Sequence, residues 1–219
     1  MKLNDVQGQL NKVFARVIET GVSVQQNFPV VSNNGNGQSL GSLAGSSVAL
    51  KNIAYSDIYA ELESNKLFHI KLPDGGLLVF QYSFDATGSL QKHRLGFFPS
   101  PTLPTMEEAP ELYRYDELYG DILSNQIVRF PIRFDFDPEN YRPKHHANSH
   151  MTLGQFENCR IPVTHAVSPN GFLLFIIRNF YHKLYLRHSN AFEKKLAICM
   201  TASCITDQER GLPHFGFSQ

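Results

Sequence analysis

The stretch Ile127-Val128-Arg129-Phe130-Pro131-Ile132-Arg133-Phe134-Asp135-Phe136-Asp137 alternates without a break. Val128, Phe130, Ile132, Phe134 and Phe136 fall on one face, and Arg129, Pro131, Arg133, Asp135 and Asp137 on the other. A period of two is the period of a β-strand, so one face is buried and the other carries two arginines and two aspartates. Pro131 has no N–H to give to a ladder, which predicts an edge strand or a bulge there.

Upstream, Leu67–Leu72, Leu77–Phe84 and Leu90–Phe98 read as strands. Pro73-Asp74-Gly75-Gly76 and Asp85-Ala86-Thr87-Gly88 between them have the residue chemistry of turns, so the three form an antiparallel meander. Residues 3–18 place Leu3, Val6, Leu10, Val13, Phe14, Val17 and Ile18 at helical spacing, an N-terminal helix ending near Gly21. A short helix is expected at Tyr55–Glu63 with Ser56 as N-cap. Ser32–Ser47, rich in Gly, Ser and Asn, reads as a loop, either an ordered excursion or a mobile flap.

Downstream, a polar loop runs to Asn148, followed by strands at His150–Phe156 and Arg160–Val163. Ser168-Pro169 then opens a core helix carrying Phe172, Phe175, Ile176 and Phe180 and reaching Lys183. The pattern of Leu196–Phe217 fits either a strand or a helix. These elements predict one α+β domain over residues 1–219, an antiparallel sheet with the N-terminal helix and with the core helix packed on one face.

Composition narrows the function. Twenty Lys and Arg balance twenty Asp and Glu, which excludes a wholly basic nucleic-acid-binding domain. The longest apolar run, Phe172–Ile177, is far short of the about 20 residues of a membrane span. With no secretory signal and only Cys159, Cys199 and Cys204, a reducing cytoplasm is expected. Charge is distributed locally: residues 105–121 hold six acids and one base, after a short helical piece is placed at Glu111–Tyr119, while 178–195 hold five bases and one acid. The two stretches suit pairing with each other or contact with a partner.

Histidine is distributed least evenly. His145, His146, His150 and His165 occupy 21 residues, where even spacing of the nine would put about one. They follow the Arg/Asp face of the strand, so carboxylates, imidazoles and guanidinia are concentrated together; these groups bind divalent cations, move protons and hold phosphate oxygens. In one reading Asp135, Asp137 and His150 hold Mg²⁺, Mn²⁺ or Zn²⁺, His146 transfers a proton, and Arg133 and Arg160 receive a phosphate. In a metal-free reading His145 or His146 works with His150 as base and acid on RNA. A third makes Arg133 and Asp135 a structural ion pair beside a solvated loop. His93, Arg94 and Arg178 are further candidates for substrate contact, with structural roles as the competing account of each. No phosphate-cradling glycine loop and no Ser or Cys nucleophile motif is present.

Four segments carry a family resemblance: Arg133-Phe134-Asp135-Phe136-Asp137-Pro138, Ser149-His150-Met151-Thr152-Leu153-Gly154, Cys159-Arg160-Ile161-Pro162-Val163, and Phe172–Tyr181 with its Ile177-Arg178-Asn179-Phe180-Tyr181 end. Mainly over residues 80–185 the chain resembles bacterial proteins of unknown function encoded beside a helicase in anti-phage defence islands. That resemblance implies phage defence with a helicase partner and no catalytic residues. Together with the Asp/His/Arg cluster it leads to the expectation of a nuclease-type effector acting on nucleic acid that the partner delivers. A non-catalytic adaptor of the helicase and a metal-free RNA-cleaving toxin are the alternatives.

Overall fold

A computed structural model describes residues 1–35, 37–43, 53–102, 107, 110, 130–156 and 158–217. Its centre is a nine-stranded antiparallel sheet. The strands are β1 (Gln25–Gln26), β2 (Val31–Asn34), β3 (Gly37–Leu40), β4 (Ile70–Lys71), β5 (Leu77–Asp85), β6 (Leu90–Phe98), β7 (Ile132–Phe136), β8 (Ser149–Leu153) and β9 (Ile161–Pro162). They run in the order β1-β4-β5-β6-β7-β8-β9, with β3 also on β5 and β2 on β3. Among the described residues six α-helices accompany them: α1 (Leu3–Glu19), α2 (Tyr55–Ser64), α3 (Pro169–Phe180), α4 (His182–Arg187), α5 (Ser189–Phe192) and α6 (Asp207–Arg210). The fold is the α+β arrangement expected, with β4, β5 and β6 forming the meander.

Alternation decides what each sheet face does. Phe80, Tyr82, Leu95, Phe97, Ile132 and Phe134 point into one large core, where α1 supplies Val6, Leu10, Val13, Phe14 and Val17 and α3 supplies Phe172, Leu173, Ile176 and Ile177. Phe172 is fully buried and meets Phe80 and Phe134 edge-on, with ring centroids 5.3 and 6.0 Å away. Each such pair adds about 0.5–1.5 kcal/mol beyond the area buried. Ser168 caps α3 as its sequence predicts, its side chain accepting from the Gly171 N–H at 3.1 Å, with Pro169 in the first turn. The helix stops at Phe180, earlier than expected, because Tyr181 leaves helical geometry (φ −132°, ψ 51°) and donates its hydroxyl to Asp74 at 2.7 Å.

The opposite face is divided. At one end Leu77, Val79 and Phe98 pack beneath α2 and its neighbours Leu67 and Phe68 in a second, smaller core. Gly96 makes this packing possible, since a Cβ there would stand 2.4 Å from the Phe98 ring. The rest of that face is polar and lacks a covering helix among the described residues.

Several expectations need correction. Ser32–Ser47 is not wholly a loop: β2 and β3 form a hairpin, and β3 joins the main sheet by pairing with β5. Glycine allows this, because a Cβ on Gly37 would fall 2.2 Å from the Phe84 carbonyl oxygen. Pro131 marks neither edge nor bulge; β7 is paired on both sides, and Pro131 stands just before its first residue, where its carbonyl accepts from the Gly154 N–H at 2.7 Å. The N-cap of α2 is Ala54, without a side-chain cap bond, and not Ser56. Leu67–Leu72 contributes only two strand residues, since Leu67 and Phe68 turn into the α2 core. Leu196–Phe217 is largely irregular, with the short α6 closed by a capping box between Thr206 and Glu209. The helical piece at 111–119, the acidic run of 105–121 apart from Glu107 and Pro110, and residues 127–129 lie outside the described residues. Among the described residues no helix is long and apolar enough to cross a membrane.

Candidate functional site

Strand register assembles the polar face. Gln81 pairs with Arg94, Arg94 with Asp135 and Asp135 with His150, so four polar side chains on β5, β6, β7 and β8 form one row across the sheet. The next row toward α2 contains Arg133 and Thr152, and the row on the other side contains Ser39, Ser83 and Lys92. Residues far apart in sequence thus converge because antiparallel neighbours stand about 4.8 Å apart.

Within the row, Arg94 Nε donates to Asp135 Oδ1 at 3.3 Å. His150 Nε2 lies 4.0 Å from Asp135 Oδ2, close enough for the carboxylate to stabilise a protonated ring and too far for a hydrogen bond. The His150 Nδ1 atom is 3.2 Å from the Ala147 carbonyl, which can only accept, so Nδ1 carries the proton. Asp137, just past β7, accepts from Lys92 and, at 2.9 Å, from Asn140. Burial disfavours the Asp137 carboxylate, but these two donors and the Lys92 charge outweigh it and hold the group below the usual carboxylate range.

The loop after β7 brings the remaining histidines. Arg142-Pro143-Lys144-His145 is a tight turn in which the His145 N–H returns to the Arg142 carbonyl at 3.0 Å. Pro143 presets its first corner, and Lys144 accepts φ +65° at the second, as a type II turn requires. An Arg142–His146 bridge closes it and sets the His146 ring edge-on against His150, with centroids 4.7 Å apart. Among the described residues the buried His146 Nδ1 atom has no hydrogen-bond partner. Asn140, Arg142, His145, His146 and Arg160 line an open pocket of about 330 Å³.

The electrostatics favour an anion. Lys92, Arg94, Arg133, Arg142 and Arg160 stand against Asp135 and Asp137, five bases to two acids. Burial pushes His146 below its ordinary range and the Arg160 guanidinium pushes it further, against the pull of Asp137 and Asp135. Burial also lowers His150, with Asp135 opposing. Both shifts favour the neutral ring, the form that can accept a proton. Desolvation lowers Arg133 as well, and the fields of Arg94 and Arg160 act in the same direction, yet a guanidinium remains charged.

The structure therefore joins most sequence candidates and separates two. Asp135, Asp137, His146, His150, Arg133, Arg94 and Arg160 share the polar face and its loop. His93 does not: it follows the opposite parity to Arg94, is 1% exposed, and accepts the Val167 N–H on Nε2 at 2.8 Å inside the main core. Arg178 is exposed on α3, across the sheet. Lys92, Asn140 and Arg142 join the site unforeseen. The parity of Lys92 with Arg94 was a readable signal, and so was the Pro143 turn that returns Arg142 toward the histidines. For the cation reading, Asp135 faces Arg94 and Asp137 faces Lys92, and among the described residues no three His, Cys, Asp or Glu side chains form a group able to hold a metal ion. In this arrangement both carboxylates are engaged by cationic side chains.

No curated protein and no solved structure matches the chain. A family model described as an uncharacterized conserved protein, DUF2290, matches residues 22–217, which extends well beyond the segments that carried the sequence resemblance. On that coverage the chain belongs to the DUF2290 family of uncharacterized conserved proteins.

Proposed function

We propose that the protein is a nuclease-type effector whose pocket cleaves RNA by metal-free acid–base chemistry. The observation that carries this reading is the lining of one pocket by two imidazoles and two guanidinia, His145, His146, Arg142 and Arg160. Neutral His146 takes the proton of a ribose 2′-hydroxyl, whose oxygen attacks the adjacent phosphorus. The P–O5′ bond breaks, and His145, as the general acid, gives a proton to the leaving 5′-oxygen, leaving a 2′,3′-cyclic phosphate and a 5′-hydroxyl. Arg142 and Arg160 neutralise the charge that builds on the phosphoryl oxygens. His150 and Asp135 are positioning residues: His150 fixes the His146 ring, and the Asp135 carboxylate favours positive charge nearby. The helicase and phage-defence setting comes from the sequence resemblance. The balance of twenty bases and twenty acids agrees with it, since the whole chain has no net charge to draw in nucleic acid and a cytoplasmic partner would deliver it.

Purified protein incubated with labelled RNA and DNA, with chelator and alone or with a helicase partner, is expected to cut RNA only and to leave cyclic-phosphate ends. His146→Ala lowers the rate by about 10²–10⁴-fold. Cleavage of DNA, or loss of cleavage in chelator, would restore the cation reading. Absence of cleavage in all conditions with stable helicase binding would make the protein an adaptor.

A further inference from the structure

A second concavity lies on the same face. Ser39, Ser42, Gln81, Ser83, Lys92 and Arg94 line a pocket of about 160 Å³ over β3, β5 and β6. It offers hydroxyl and amide donors beside two cations, the groups that contact phosphate and sugar oxygens. The Gln81–Arg94–Asp135–His150 row connects it to the histidine pocket. Three strand steps make the row about 14 Å long, more than one phosphate can bridge. The α2 core, with Leu77, Val79 and Phe98, closes the face on one side of the row. Among the described residues, what is left is a polar path across the strands, with acid–base groups at one end and a second set of donors at the other.

We infer that the two pockets form one groove for the extended backbone of a single nucleic-acid strand, the scissile phosphate lying at His145 and His146 and a further phosphate at Arg94 and Gln81. This rests on the phosphodiester reading of the histidine pocket and adds to it a substrate longer than a dinucleotide. Single strands suit the geometry because their backbone can follow a cationic groove along its floor. The floor here is the sheet and the loop packed against it, lined by Lys92 and Arg94 in one pocket and by Asn140 and Arg142 in the other, with the Lys92–Asp137–Asn140 contacts between them, whereas a duplex is a rigid cylinder that cannot follow it.

The test uses fluorescently labelled 2′-O-methyl oligonucleotides, which lack the attacking hydroxyl, and reads anisotropy with the full chain. An octanucleotide is expected to bind about tenfold or more tightly than a dinucleotide. Gln81→Glu, nearly isosteric, is expected to erase most of that gain by placing a negative charge in the second pocket. Ser42→Glu, at an exposed position, does the same where a folding defect is not at issue. Equal affinity for both lengths, a length gain untouched by both variants, or equal binding of an octamer duplex would overturn the groove. Cleavage of ordinary RNA is measured in parallel. Cleavage without a length gain sinks the groove alone, and a length gain lost in both variants without cleavage supports the groove and sinks the catalytic reading.

Discussion

Two groups of histidines on one sheet show what packing does to the same side chain. His69 and His93 are each 1% exposed, and each accepts a backbone N–H: Phe80 donates to His69 Nδ1 at 3.0 Å and Val167 to His93 Nε2 at 2.8 Å. Burial pushes both down to about 4. They are neutral acceptors that join strands or loops to the core. His145 and His146, by contrast, lie in a turn at the wall of an open pocket beside arginines, and His150 backs them with its own Nδ1 satisfied locally. A histidine fixed by a core amide is closed off from solvent, while one held at its edge by another ring stands at the wall of a cavity.

The sharpest way to break this contrast is to truncate one member of each group. His93→Ala leaves the Val167 N–H without its acceptor and opens a cavity, so urea or thermal unfolding is expected to show a loss of about 3 kcal/mol or more. His146→Ala, at the pocket wall, is expected to cost less than about 1 kcal/mol. Equal losses from the two substitutions would end the distinction.

Acid unfolding tests the same groups together. His69 and His93 are held below the ordinary 6.5 in the folded chain, so the unfolded chain binds protons first. Their contribution is complete above pH 6.5 and is lost as pH falls from there through about 4, at about 1.4 kcal/mol per unit of depression for each. Lowered His146 and His150 add in the same direction. Buried Asp74, whose carboxyl is pushed up, acts the opposite way and is outnumbered. A midpoint of unfolding that does not change between pH 7 and pH 5 would contradict the burial of these rings. The smallest expected effect is at Arg178, exposed on the far side of the sheet: Arg178→Ala is expected to change stability by no more than about 0.5 kcal/mol and to leave RNA cleavage unaltered. A large loss of cleavage would mean that the site extends around the sheet.

The candidate site was legible where it followed strand parity. Asp135 and Arg133 could be placed on one face from alternation in β7, and the density of histidines located the loop that follows. His93 and Arg94 part because consecutive strand residues point to opposite faces, which leaves His93 with the structural role that competed with substrate contact. The β2–β3 hairpin was hidden because its Ser, Asn and Gly side chains carry no hydrophobic pattern, though Asn34-Gly35 is a hairpin signal in its own right. The two-residue strands β1, β4 and β9 are too short to produce any period.

What the sequence determined by itself is local. The apolar stripe of α1, the Ser168-Pro169 start of α3, the turns bounding β5 and the alternation of β6 and β7 all follow from interactions between residues a few positions apart. Only the tertiary structure decided which polar residues meet. Register between strands sets Arg94 against Asp135 and Asp135 against His150, and register depends on how the whole apolar face fits beneath α1 and α3. A shift by one residue would turn Asp135 into the core and leave the same sequence with no site.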